Sequence, residues 1–205
     1  VTELGTKADF ALSEIAVDGK PIRPSEELHA FILNKPVGVL TSRSDDRGRK
    51  VVTEYVPAHL RTMVYPVGRL DLNSSGLVLL LNDGALAFRL THPSFHISKQ
   101  YTVRVARALT SEEFNQMQTG VTLDDGVIAT AEIAQDPHNK LQLFITLHEG
   151  RKRQIRRMLE TLGNEVRSLH RTSIGPLELK NLATGKARKL TMQELAALRQ
   201  AVGLD

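Results

Sequence analysis

The sequence predicts an α+β fold: a mostly antiparallel, mixed sheet with a few flanking helices. Three observations point there. Strand signals are many and short, and they do not alternate with helices in a regular βαβ manner. Only a few segments carry helix signatures, each with its own start and stop residues. One stretch, Leu77–Leu81, is an unbroken aliphatic run, as expected of a strand covered on both faces. The 205 residues suffice for one good-sized core with a small appendage.

In chain order, residues 1–27 look unlike the rest. Short β-like pieces such as Ile15–Val17 are separated by Gly and Pro turns, and no full helix is present. Such a segment buries little by itself. It reads as the tail of a small module whose beginning lies outside this chain, joined through Arg23–Glu27 to a main domain over 28–205; a disordered leader is the alternative. Leu28–Leu33 and Val39–Ser42 read as strands around the turn Lys35–Pro36–Val37–Gly38. A charged loop, SRSDDRGRK, leads to VVTEYVPAHL, read as a short helix before a strand over Val64–Val67. After Leu77–Leu81, the turn Asn82–Asp83–Gly84 opens a helix over Ala85–Leu90, stopped by Pro93. Tyr101–Arg107 alternates at period two, the signature of a half-buried strand.

Thr110 with Glu113 forms a capping box for a helix that ends at Gly120. Strands are expected at Val121–Leu123, Ala129–Ala134 and Leu141–Leu147. The helix Arg151–Leu162 places Ile155, Met158, Leu159 and Leu162 on one face, with Gly163 as its stop. Glu165–His170, Leu177–Leu179 and Lys186–Leu190 read as strands. Thr191 with Glu194 caps a final helix, Met192–Val202.

Composition narrows the function classes. Hydrophobic residues make up 41% and charged residues 24%, ordinary for a globular protein. No apolar run approaches a membrane span, and Val1–Phe10 lacks the basic start and apolar block of a signal peptide. With no cysteine, disulfides, thiol catalysis and Cys-based zinc sites are excluded; a cytoplasmic location fits. The net charge of +4 is a mild pointer to an anionic partner, and its distribution says more. Arg151, Lys152, Arg153, Arg156, Arg157, Arg167 and Arg171 crowd one segment; Arg43, Arg47, Arg49 and Lys50 crowd another. Aromatics are only 4%, which argues for a basic groove rather than an aromatic stacking platform.

Metal and nucleotide motifs are weak. Pro93 sits between His92 and His96, so the pair does not share a ligand-bearing helix. Thr184–Gly185–Lys186 lacks the earlier glycine of a phosphate loop, and no GxGxxG exists. The segment EGRKRQIRRMLETLG is more informative. Its cations gather at the expected helix N-terminus, where the dipole disfavours them, so something negative should compensate: a nucleic-acid backbone or a buried carboxylate. The stretch GRLDLNSSGLVLLLNDG supplies one acid, Asp71, just before the aliphatic strand. On its own, Asp before Asn-Ser-Ser-Gly is an ordinary turn residue.

Several separated motifs, taken in order, change that reading. GRLD before an aliphatic strand and NDG, the KxYxV strand, EGRxRQIRRM, the KPVG turn, the DDRGRK loop and RTSIGPLEL together resemble the pseudouridine synthases. The similarity is greatest to the RsuA/RluB/RluE/RluF group, which modifies ribosomal RNA, and runs from about Leu28 to the C-terminus. The first segment is similar to the end of the small RNA-binding module that precedes this domain in the group. The resemblance implies the pseudouridine synthase fold, a cytoplasmic, monomeric enzyme without a cofactor or metal, and ribosomal RNA as partner, with no membrane.

Carried over, Asp71 is the nucleophile and Tyr101 stacks on the target base and takes part in proton transfer. Arg156 pairs with Asp71, and Leu169 lines the pocket. Arg69, Arg43, Arg47, Arg49, Lys50, Lys152, Arg153 and Arg157 are expected to bind substrate. Large-subunit (23S) rRNA is the expected target. A small-subunit (16S) enzyme and a noncatalytic ribosome-assembly protein of the same fold are the alternatives; a basic DNA-binding protein is weaker, because no base-reading helix-turn-helix is present.

Overall fold

A computed structural model describes residues 14–22 and 27–204. Residues 1–13 of the expected N-terminal module and residues 23–26 of its linker lie outside the described residues. What is described of that module is a hairpin, β1 (Ile15–Val17) and β2 (Lys20–Ile22), turned by Asp18 and Gly19, both at positive φ.

The main body is built on a nine-stranded mixed sheet. Its strands are β3 (Ala30–Lys35), β4 (Tyr65–Val67), β5 (Ser75–Leu81), β6 (Lys99–Val105), β9 (Glu132–Gln135), β10 (Gln142–Leu147), β11 (Val166–Ile174), β12 (Leu177–Glu178) and β13 (Ala187–Lys189). The main path runs β13-β3-β5-β11-β6-β10-β9, with β4 beside β5 and β12 beside β11. Two short strands, β7 (Val121–Thr122) and β8 (Ile128–Ala129), pair separately. Every pairing in the large sheet is antiparallel except one: β5 and β11 run parallel at its centre.

β5 shows why the aliphatic run needs no polar alternation. Leu77, Leu79 and Leu81 pack in one core with α1 (Gly84–Thr91) and α4 (Met192–Ala201). Val78 joins a second core with α2 (Ser111–Thr119) and α3 (Gln154–Thr161), and Leu80 a third with Val52, Val56, Leu60 and Val64. Both faces are covered, so every position from 77 to 81 is apolar. Both expected capping boxes form: Glu113 N donates to Thr110 Oγ1 and Thr110 N to Glu113, and Thr191 and Glu194 do the same.

Four local expectations need correction. Val39–Ser42 is not a strand; only a single parallel bridge, Leu40 to Val51, forms there. VVTEYVPAHL is two 3-10 turns, Val52–Tyr55 and Ala58–Leu60, divided by Pro57, which has no N–H to continue a helix. Ala129–Ala134 breaks in two because the Ala131 amide donates to the Met117 carbonyl at the end of α2 and is lost to the ladder. The basic helix begins at Gln154 rather than Arg151, because Arg153 adopts a left-handed conformation (φ 54°).

The parallel contact between β5 and β11 is unusually close. Gly76 has φ +110°, and a Cβ there would lie 2.3 Å from the Arg171 carbonyl oxygen. Gly38 also has positive φ (+84°), but its missing Cβ would meet nothing within 4 Å. Gly76→Ala should therefore lower unfolding free energy by roughly 2–4 kcal/mol, from backbone strain plus overpacking, and Gly38→Ala by only about 1 kcal/mol. Denaturant titration of the two variants checks the difference; equal losses would contradict the close approach.

Candidate active site

The loop between β4 and β5 carries Asp71, and main-chain bonds hold it on both sides. The Thr41 hydroxyl donates to the Leu70 carbonyl (2.8 Å) and accepts from the Leu70 amide (3.2 Å). The Gly38 amide donates to the Leu72 carbonyl at 2.9 Å, tying the KPVG turn to the loop. The Ser74 amide donates to the Asp71 carbonyl at 3.0 Å, which closes a tight turn beginning at Asp71. Asp71 is thus the turn residue its local sequence suggests. Its carboxylate makes no hydrogen bond or ion pair within 4 Å among the described residues.

That loop forms one wall of a cavity of about 300 Å³. Arg69, Leu70, Asp71 and Ser74 come from the loop, Lys99 and Tyr101 from β6, and Leu169 and Arg171 from β11. The turn before α3 and its first residues, Arg151 to Arg156, complete the rim. The strand parity explains the mixture. Val103 and Val105 bury in the core, and the same face of β6 continues outward through Tyr101 to Lys99. Leu70, Tyr101, Ile155 and Leu169 belong to one apolar cluster, so the cavity has a packed hydrophobic side.

Of the residues marked by sequence, Asp71, Tyr101, Arg156, Leu169, Arg69, Lys152 and Arg153 line this cavity. Arg43, Arg47, Arg49, Lys50 and Arg157 do not. Arg43 donates to the Thr62 carbonyl (2.8 Å), Arg49 pairs with Asp45 (2.6 Å), and Lys50 lies over the Tyr55 ring. The Arg49 ion pair holds the Asp45 carboxyl at a pKa of about 2.

Two expectations about the basic helix are corrected. Arg157 is not a free phosphate contact: it pairs with Asp124 and with Asp125 (2.8 Å), both from the β7–β8 turn. Local acid is also present elsewhere, with Arg151 on Glu149 (2.8 Å) and Arg153 on Glu160 (3.1 Å). The second concerns Arg156, which makes no direct pair with Asp71. Its guanidinium, only 9% exposed, donates to the carbonyls of Asn73 (2.9 Å) and Val166 (3.3 Å) and to Ser74 Oγ (3.4 Å). It braces the loop that carries Asp71. Burial and the neighbouring Arg153 lower its pKa, while the Asp71 and Glu160 charges raise it.

Sequence reasoning missed Lys35 and Arg171. Lys35, at the end of β3 and opposite Gly76, is fully buried and donates to the Pro36 carbonyl at 2.9 Å. Burial pulls its pKa down to about 8; the Asp71 charge opposes this and the Arg171 charge adds to it. Arg171 is 2% exposed and lines the cavity. KPVG had pointed to a turn, and nothing local says that its lysine is enclosed. Arg171 had been counted only as one of a basic crowd.

The lysine makes a pH prediction. Its folded-state pKa lies below the ordinary 10.5, so between pH 8 and 10.5 the unfolded chain binds more protons and stability rises with pH. This group contributes up to about 3 kcal/mol across that window, at about 1.4 kcal/mol per unit of pKa difference. Denaturant unfolding at both ends of the window should show the rise in wild type and a smaller one in Lys35→Met. An identical pH slope in the two proteins would mean that Lys35 is solvated.

Comparison with known proteins fits this geometry. A family model described as RNA pseudouridylate synthase matches residues 29–161. The chain is 40% identical over 203 residues to ribosomal large subunit pseudouridine synthase B of Bacillus subtilis, covering 97% of this chain and 82% of that protein. It is 37% identical to the protein of the same name from Pseudomonas aeruginosa, covering all of this chain and 55% of that one. A crystal structure of a pseudouridylate synthase superposes with a TM-score of 0.78 at 30% identity, covering 90% of this chain and 80% of its own. A cavity with a lone aspartate on a braced turn, facing a strand tyrosine, therefore sits in a chain that belongs to the RNA pseudouridylate synthase family.

Proposed function

We propose that the protein isomerises a specific uridine of large-subunit ribosomal RNA to pseudouridine, with Asp71 as nucleophile. The observation that carries this reading is the charge inventory of the cavity: among the described residues, Asp71 is the single carboxylate lining it, against seven basic side chains. The relatives named for large-subunit rRNA support the choice of substrate.

The reaction breaks the uridine N1–C1′ bond, turns the uracil and rejoins C1′ to C5, with loss of the C5 proton to solvent and uptake of one proton at N1. It is redox-neutral and needs no energy input. Asp71 attacks C1′ as the N1 bond breaks, and its carboxylate leaves again when C5 bonds to C1′. Its freedom from protein hydrogen bonds leaves both oxygens available. Lys35 and Arg156 place positive charge near Asp71, whose own charge raises the pKa of each.

The target base must leave its stack to enter the cavity. Tyr101 replaces the lost stacking and takes part in moving the C5 proton; that it lines the cavity and shares an apolar cluster with Leu169 supports this role. Arg69, Lys152 and Arg153 at the rim, with Arg43, Arg47 and Lys50 on the adjoining loop, contact backbone phosphates. The β1–β2 hairpin belongs to a small RNA-binding module spanning residues 1–27, attached to the catalytic domain over 28–205. The enzyme acts as a cytoplasmic monomer. Among the described residues, no helix is long and apolar enough to cross a membrane.

Tritium release from rRNA fragments labelled at uridine C5 tests the reading. Wild type should release tritium, and Asp71→Asn should bind RNA normally while losing turnover on the order of 10⁴-fold or more. Retained turnover in Asp71→Asn would remove the nucleophile, and a folded, RNA-bound wild type that releases nothing from any rRNA would remove the activity. Release from small-subunit fragments alone would reassign the substrate. For the surrounding surface, Arg47→Ala and Lys50→Ala on the adjoining loop should each lower the salt slope of RNA binding by about 1, whereas the acid-paired Arg157→Ala should leave it unchanged.

A further inference from the structure

Arg171 is the least solvated cation of the cavity, and among the described residues it has no carboxylate partner. Fully buried arginines are rare unless paired, because the desolvation of the charge must be offset. Its Nε donates to the Leu77 carbonyl at 2.8 Å and its Nη1 reaches the Arg69 carbonyl only at 3.5 Å. Its Nη2 is buried and has no acceptor among the described residues. A guanidinium offers five N–H donors in a fixed fork, so most of this one's capacity is unused.

A second cation lies beside it. Lys99 lines the same cavity, and its pKa is lowered by burial and by the Arg171 charge. Its Nζ donates to the Ile97 carbonyl at 3.0 Å and ion-pairs with no acid among the described residues. Across the β11–β6 ladder Arg171 faces Tyr101, two residues from Lys99, so the pair borders the ring on which the base would stack. Arg156 differs: its donors go to the loop and Val166, and only its Nε is unused. Two neighbouring cations with unspent donors and no acid between them describe a place for a negatively charged oxygen.

We propose that Arg171 and Lys99 form an oxyanion subsite in the cavity, with Arg171 Nη2 as its principal donor. This rests on the isomerase reading above. Two oxygens of the substrate have the required chemistry. One is a nonbridging phosphate oxygen of the flipped nucleotide. The other is a uracil carbonyl oxygen, which carries charge once the N1–C1′ bond has broken and the base is detached as its anion. Asp71 then attacks within reach of donors that accept the charge released by the base, and the charge returns when C5 rejoins the sugar and its proton leaves.

The full chain, an rRNA fragment labelled at uridine C5, and the variants Lys99→Met and Arg171→Lys test this. Wild type runs in parallel: if it does not turn over, the isomerase reading fails, and the subsite is judged only against an active wild type. A phosphate oxygen predicts that the loss appears in KM and in RNA affinity, about 3- to 10-fold, with the salt slope lower by about 1 in Lys99→Met. A uracil oxyanion predicts that the loss appears in kcat, about 10²- to 10³-fold, while RNA affinity and salt slope hold. Variants that match wild type in kcat, KM, affinity and salt slope overturn the subsite. Arg171 also supports the Leu77 carbonyl; should Arg171→Lys fail to fold, Lys99→Met decides alone.

Discussion

β5 and β11 run parallel at the centre of the sheet, and at Gly76 their main chains come too close for even a methyl group to fit between them. The rest of the site depends on that approach. It sets the loop before β5, with Asp71, against the middle of β11, which carries Leu169 and Arg171. Because β6 pairs with the other edge of β11, the same contact fixes the distance from Asp71 to Tyr101 and Lys99. Five residues from three separate stretches of the chain are therefore placed by one backbone spacing rather than by contacts among themselves.

Electrostatics explains why so polar a cavity needs such firm packing. Among the described residues, Lys35 and Arg171 are buried charges without a direct carboxylate partner, and burial of that kind opposes folding. The three apolar clusters that flank the sheet provide the opposing free energy. The close backbone approach and the unpaired charge are concentrated at the candidate site, as expected of a site organised for function rather than for stability.

Much of this was legible in the sequence. The continuous aliphatic run of β5, the alternation of β6, the apolar face of α3 and both capping boxes follow from local rules, and they fix most of the elements. The motif set drew attention to Asp71, Tyr101, Arg156 and Leu169, and the fold brings all four to one cavity. What escaped depends on neighbours that no local window contains. Lys35 is buried because β5 and the Asp71 loop close over it. Arg157 is neutralised by Asp124 and Asp125, more than thirty residues away. Arg156 turned out to hold carbonyls instead of the carboxylate, and the helix began late because Arg153 left the helical region.

The loop around Asp71 is held through main-chain groups: the carbonyls of Leu70, Leu72 and Asn73 accept, and the amides of Leu70 and Ser74 donate. The side chains of Leu72 and Asn73 play no part in that framework, and both residues are exposed. Positions 72 and 73 can thus change their chemistry without moving the Asp71 carboxylate. Such an arrangement separates two kinds of evolutionary freedom: the backbone keeps the reaction, while the adjoining side chains can be rewritten to suit a different RNA surface.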